Sequence, residues 1–145
     1  MSAIPHFRTP KEDEEERFSE YTLMGMIPVE TTIFVDLIGL TMLMIQNRDG
    51  TSHIIELQRF TPVELPLVLE MFSNFPYHTP FENLQSISRG RSIEYHRRAI
   101  ELAKRDNAVD ELLKPLRKMI SRIRPRLHTF GIDVKCLIET GYILM

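Results

Sequence analysis

The sequence predicts an α+β domain in which an antiparallel sheet comes first, helices follow, and a β-hairpin closes the chain. Three observations carry this. β-Branched residues (Thr31, Thr32, Ile33, Val35, Ile38, Thr41, Ile45, Ile54, Ile55) concentrate between Tyr21 and Leu57, and such side chains suit a pleated surface. Two helix starts of one design, Thr-Pro-x-Glu, stand at Thr61 and Thr79. The last third, Val109 to Met145, reads as a basic helix, then Gly131-Ile132, an alternating run, and Gly141-Tyr142.

The strand region divides at two places. Gly39 marks a turn or bulge. Asn47-Arg48-Asp49-Gly50 separates Thr41–Ile45 from His53–Leu57 as a hairpin. Met24, Met26, Met42 and Met44 read as core filling. In each Thr-Pro-x-Glu start the threonine caps free N–H groups, and the glutamate three residues on reaches back to the cap. Proline occupies the first helical position, where its missing N–H costs nothing. The first helix is expected over about 62–73, with Leu65, Val68, Leu69 and Phe72 on one stripe. The second is expected over about 80–87. Ser88-Arg89-Gly90-Arg91 interrupts the pattern, and a third helix is expected over 92–105, with Ile93, Ile100 and His96 or Arg97 on its inner side. The fourth is expected over about 108–123. Val109, Leu112, Leu113, Leu116, Met119, Ile120 and Ile123 recur at helical spacing, opposite Lys114, Arg117, Lys118, Arg122 and Arg124. Pro125 is expected to stop it. Val134, Cys136 and Ile138 then alternate with Lys135, Leu137 and Glu139.

With 145 residues the chain is long enough for one domain with a real core. A flexible acidic tail is expected over 1–20, where Glu12 to Glu16 is a near-continuous acidic run and few apolar side chains are available to offset ordering entropy. Such a tail can also fold onto the basic end as an internal mimic of DNA. The domain proper is expected over 21–145. The longest apolar stretch, Ile33 to Ile45, is broken by Asp36, Gly39 and Thr41 and falls short of the ~18 residues a membrane helix needs. No signal peptide is visible. The single cysteine, Cys136, rules out an internal disulfide and fits a reducing compartment. A cytoplasmic protein with no membrane partner is the expectation.

Net charge is −2, but it is unevenly placed: residues 21–88 carry −5 and residues 89–145 carry +6. A basic end on an otherwise acidic chain points to a localised anionic partner, nucleic acid first. The competing reading is a mixed surface whose halves neutralise each other.

In order and spacing these elements resemble the OmpR/PhoB-type winged helix-turn-helix DNA-binding domain over about residues 30–145. Phe60-Thr61-Pro62-Val63-Glu64-Leu65 matches the start of the family's first helix. Thr79 fits the cap of the second. Val109-Asp110, Leu113 and Leu116-Arg117-Lys118-Met119-Ile120 match the recognition helix without a gap. Gly131-Ile132-Asp133-Val134-Lys135-Cys136-Leu137 and Gly141-Tyr142-Ile143-Leu144 match the closing hairpin. The resemblance implies a winged helix-turn-helix with an N-terminal antiparallel sheet, a three-helix core plus an inserted helix, and a C-terminal β-hairpin. It implies a stand-alone transcriptional regulator that binds duplex DNA through a recognition helix at about 109–124, as a homodimer on repeated half-sites. Groove-facing positions are then Asp110, Lys114, Arg117 and Lys118, with Arg122 and Arg124 on phosphates; Arg89 and Arg91, in the break before the third helix, complete the candidate set. The resemblance also places Cys136 facing the core.

Three departures are visible. Ile138, Glu139 and Thr140 stand where the family has glycine at the wing tip, and a glutamate there is repelled by phosphates. Pro115 lies inside the recognition helix, at a typical cost of about 3 kcal/mol. The connection between second and recognition helices is longer and holds the extra basic helix; in some activators of the family this connection touches RNA polymerase. The alternative function is therefore a winged helix that binds protein, RNA polymerase or another regulator. No cofactor and no enzymatic activity are expected. His6, His53, His78, His96 and His128 are scattered without ligand spacing, and no phosphate loop or nucleophile elbow is present.

Overall fold

The computed structural model describes residues 17–145; the calls on residues 1–16 of the acidic tail lie outside them. Seven strands and four helices are described. The strands are β1 (Phe18–Tyr21), β2 (Thr31–Asp36), β3 (Thr41–Arg48), β4 (Thr51–Arg59), β5 (Thr79–Pro80), β6 (Val134–Leu137) and β7 (Gly141–Leu144). The helices are α1 (Glu64–Asn74), α2 (Phe81–Arg89), α3 (Ile93–Arg105) and α4 (Val109–His128). The α+β class and the order of sheet, helices and closing hairpin are as the sequence predicts. One boundary moves: Phe18, Ser19 and Glu20, read as tail, pair with β2, because their alternation lets Tyr21 reach the core.

The N-terminal sheet is antiparallel in the order β1-β2-β3-β4. Asp49 and Gly50 both take positive φ, 53° and 74°, so the β3–β4 connection is the tight turn the Asn-Arg-Asp-Gly stretch predicts. At the β2–β3 turn the Asp36 carboxylate accepts from the N–H groups of Ile38 and Gly39 and is held by the Arg17 guanidinium at 2.9 Å. Ile33, Val35, Met42 and Met44 line one face and are fully buried. Met24 does not join them; at 84% exposure it sits in the β1–β2 loop, where no regular element turns it inward. Met26 only packs at the margin.

The first capping box forms as expected. Thr61 N–H donates to Glu64 Oε1 at 3.0 Å, and Glu64 N–H donates to Thr61 Oγ1 at 3.1 Å. The second does not. Thr79 is drawn into β5, paired with Tyr142 of β7, and its hydroxyl accepts from Asn74 Nδ2. Pro80 stays extended, so α2 starts at Phe81 with no side-chain cap. This short pairing makes the closing hairpin the outer part of a three-stranded sheet, β5-β7-β6. Gly141 is required there by proximity, since a Cβ would lie 2.0 Å from the Thr79 carbonyl oxygen.

Helix α4 runs past Pro125 to His128, which corrects the expected stop. The carbonyls deprived of a donor by Pro115 and Pro125 belong to Glu111 and Ser121, both on exposed residues, where solvent can satisfy them. The turn after His128 is closed by Gly131, in left-handed conformation at φ 79°, with Ile132 N–H donating back to Leu127 O. Leu113, Leu116, Ile120, Ile123 and Leu127 are buried along one side, each contributing about 1.5–3 kcal/mol of transfer free energy. α1, α2 and α4 touch one another, and α3 packs on α2 and α4. No described helix is long and apolar enough to cross a membrane.

Candidate nucleic-acid interface

Burying one stripe of α4 fixes what the other stripe presents. Lys114, Lys118 and Arg122 are exposed and recur every four residues, so they form one ridge on the helix. At 1.5 Å rise per residue it spans about 12 Å. Among the described residues no carboxylate pairs with any of the three, whereas the other candidate cations of α4 are engaged. Arg117 donates to Asp110 Oδ1 at 2.9 Å. Arg124 donates to Asp133 Oδ1 at 3.2 Å. Asp110 therefore acts as the partner of Arg117 one side-step from the ridge, and together with Glu111 it makes the first turn of α4 acidic.

Two clusters fix how the ridge is presented. At the start of the hairpin, Asp133 is shared by His128 Nε2 at 2.9 Å, by Arg124, and by the Val134 N–H at 2.7 Å. The His128 contact, then the Val134 N–H and Arg124, hold its carboxyl down at about 2 despite the opposing effect of burial. This ties the C-terminal end of α4 to β6. On the other side, Arg126 crosses to the N-terminus of α1. It donates to Glu64 Oε2 at 2.6 Å and to Arg59 O at 2.9 Å, with its guanidinium 4.9 Å from the Phe60 ring centre. Burial pushes the Glu64 carboxyl up, but the Arg126 guanidinium and the Thr61 hydrogen bonds outweigh it, and the net shift is downward. Sequence reasoning missed Arg126: nothing local marks it, because the acid it serves, Glu64, is 62 residues away.

Arg89 closes α2, and Arg91 lies in the loop before α3 with φ 72° and its guanidinium 5.1 Å from the Tyr95 ring centre. Neither is joined to α4 by a hydrogen bond or ion pair among the described residues. The loop is held by the buried His96, whose Nε2 lies 2.6 Å from Gly90 O, and Ser92 caps α3 by accepting from Tyr95 N–H.

The turn between β6 and β7, where the resemblance expects a wing tip, is Ile138-Glu139-Thr140. Glu139 takes φ 66°, a left-handed conformation that suits glycine, and Ile138 is 86% exposed. Cys136 is exposed as well, which corrects the core position implied for it. Only Val134 of β6 is buried. Cys136 lines a shallow cleft of about 450 Å³ with Phe81, Asp110, Arg117 and Glu139. Burial raises the Tyr142 hydroxyl beneath it, with Cys136 adding to the shift and Arg117 opposing it.

Comparison with models of protein families, with curated protein sequences and with solved structures returned no match.

Proposed function

We propose that the protein is a transcriptional regulator that binds duplex DNA, and that its frame is a winged helix-turn-helix with α4 as the recognition helix. The observation that carries this reading is the unpaired Lys114–Lys118–Arg122 ridge on a helix whose opposite side is buried in the core. Such a helix can be pressed into a groove without losing its packing, and its cations neutralise phosphates and release counterions. Arg117 and Arg124 serve first to set the helix: one braces its first turn through Asp110, the other ties it to Asp133. The acidic first turn makes the middle of α4, rather than its N-terminal end, the part that approaches the duplex. In support of the frame, α1, α2 and α4 are in mutual contact, α3 is inserted between the last two, and the hairpin follows α4 directly. Glu139 at the tip argues for a wing that stays off the minor groove.

Titration onto a labelled duplex at low salt tests the proposal. Replacing Lys114, Lys118 and Arg122 together with alanine is expected to weaken binding at least tenfold. Equal binding by the variant, with its fold intact by circular dichroism, contradicts it. The exposed Ile138 favours a second reading, a protein contact on RNA polymerase or another regulator. Under that reading the duplex is not bound, and binding of purified RNA polymerase is lost with Ile138→Ser.

A further inference from the structure

Helix α3 is thinly anchored. Of its 13 residues only His96 and Ile100 are buried, and the helix packs on α2 and α4. Tyr95, Ala99 and Leu102 follow at spacings of four and three residues, so they line one stripe, about 10 Å long. Tyr95 and Leu102 are 50% and 57% exposed, and Ala99 between them is partly exposed. The Tyr95 ring is steadied by the Arg91 guanidinium, 5.1 Å from its centre, and by an edge contact with the His96 ring. Beside this stripe runs another, Glu94, Arg98, Glu101 and Arg105, at spacings of four, three and four. All four are exposed, and their charges alternate in sign. Glu94 reaches Arg97 at 2.8 Å and Arg98 at 3.6 Å. Glu101 and Arg105 have the same spacing as Glu94 and Arg98, yet neither has an ion-pair partner among the described residues.

We infer that this side of α3 docks a second copy of the chain, the two α3 helices crossing antiparallel about a two-fold axis near Ala99. Such an axis brings residue i of one copy to residue j of the other, and j to i. Centred near Ala99, it sets Tyr95 against Leu102 of the second copy, with the small Ala99 side chains at the crossing, where they allow close approach. The same axis sets Glu94 against Arg105 and Arg98 against Glu101, each pair occurring twice. These charges also select the arrangement. A parallel pairing places like against like along the whole ridge. A slip of three residues places Arg98 on its own copy in one direction, and Glu101 on its own copy in the other. Ion pairing between turns of a solvated helix accounts for Glu94 and Arg98. It does not account for the apolar stripe alongside, nor for Glu101 and Arg105 standing apart. One side of a short helix lies at the small end of interface sizes, so association is reversible, with a dissociation constant on the order of 100 µM. The inference is independent of DNA binding by α4.

Sedimentation equilibrium of the full chain, from about 10 µM to about 1 mM, tests it. The wild type is expected to pass from monomer to dimer across that range. Leu102→Glu is expected to stay monomeric with its helix content intact by circular dichroism. Two charge variants complete the test. Glu94→Arg with Glu101→Arg makes the ridge wholly basic, and Arg98→Glu with Arg105→Glu makes it wholly acidic. Each alone is expected to be monomeric, and an equimolar mixture of the two to form a mixed dimer. A wild type that stays monomeric at about 1 mM overturns the inference. So does a dimer that survives Leu102→Glu, and so do charge variants that self-associate like the wild type or fail to pair on mixing.

Discussion

Arg126 shows how much of the assembly rests on single side chains. Its guanidinium joins the last helix to the first turn of α1 through Glu64, which is 5% exposed. Removing one partner of a buried pair strands the other charge at a cost of about 3 kcal/mol or more. Arg126→Ala is therefore expected to lower unfolding free energy by about that amount in a urea titration, and Arg126→Ala with Glu64→Gln to recover part of it. Asp133 gives a pH dependence. Its carboxyl titrates at about 2 in the folded protein against an ordinary 3.8. A depressed acid contributes stability that is fully present above the unfolded value and is lost as pH falls through the folded one. Thermal stability is thus expected to decline between about pH 4 and about pH 2. Asp133→Asn should be less stable at neutral pH and show a shallower decline across that window; an unchanged profile counts against the cluster. Neither contact was legible in the sequence. Glu64 and Arg126 are 62 residues apart, and only the tertiary fold brings the acid of a local cap beside a distant cation.

At the scale of elements, legibility followed how local the cause was. The Asn-Arg-Asp-Gly turn and the Thr61 capping box depend on a few neighbouring residues, and each is where the sequence puts it. Thr79 has the same local pattern as Thr61, but a strand arriving from residue 142 competes for its backbone and prevails. Pro125 is a stop signal in isolation, yet the buried run from Leu113 to Leu127 continues beneath it and outweighs one lost bond. Pro115 is the more central of the two. Pro115→Ala restores an N–H facing the Glu111 carbonyl and is expected to raise stability by about 1–3 kcal/mol, measured by denaturant unfolding. A fall in stability would mean that Pro115 itself is needed for packing α4 on the core. Cys136 fails for a related reason: alternation assigns a face to a strand residue but does not say where the covering layer ends.

For the whole molecule, charge asymmetry was visible from the sequence, while its organisation was not. Thirteen basic residues follow position 88, but the fold commits Arg97 to Glu82 and Glu94, Arg117 to Asp110, Arg124 to Asp133 and Arg126 to Glu64. What remains on α4 is a three-residue ridge, narrower than the basic face that helical spacing suggests. The same fold sets Glu139 at the β6–β7 turn, so under the proposed reading a duplex would meet one cationic line bounded by carboxylates. Affinity should then be modest and dominated by phosphates.

The dependence of duplex affinity on salt tests that claim most directly. For each phosphate neutralised, the slope of log K against log salt changes by about 0.9. The wild-type chain is expected to bind with a negative slope, and the variant with alanine at Lys114, Lys118 and Arg122 to show a slope smaller in magnitude by about 2–3. Parallel slopes for the two proteins, or no binding by the wild type at low salt, would contradict the assignment of α4 as the surface that meets DNA.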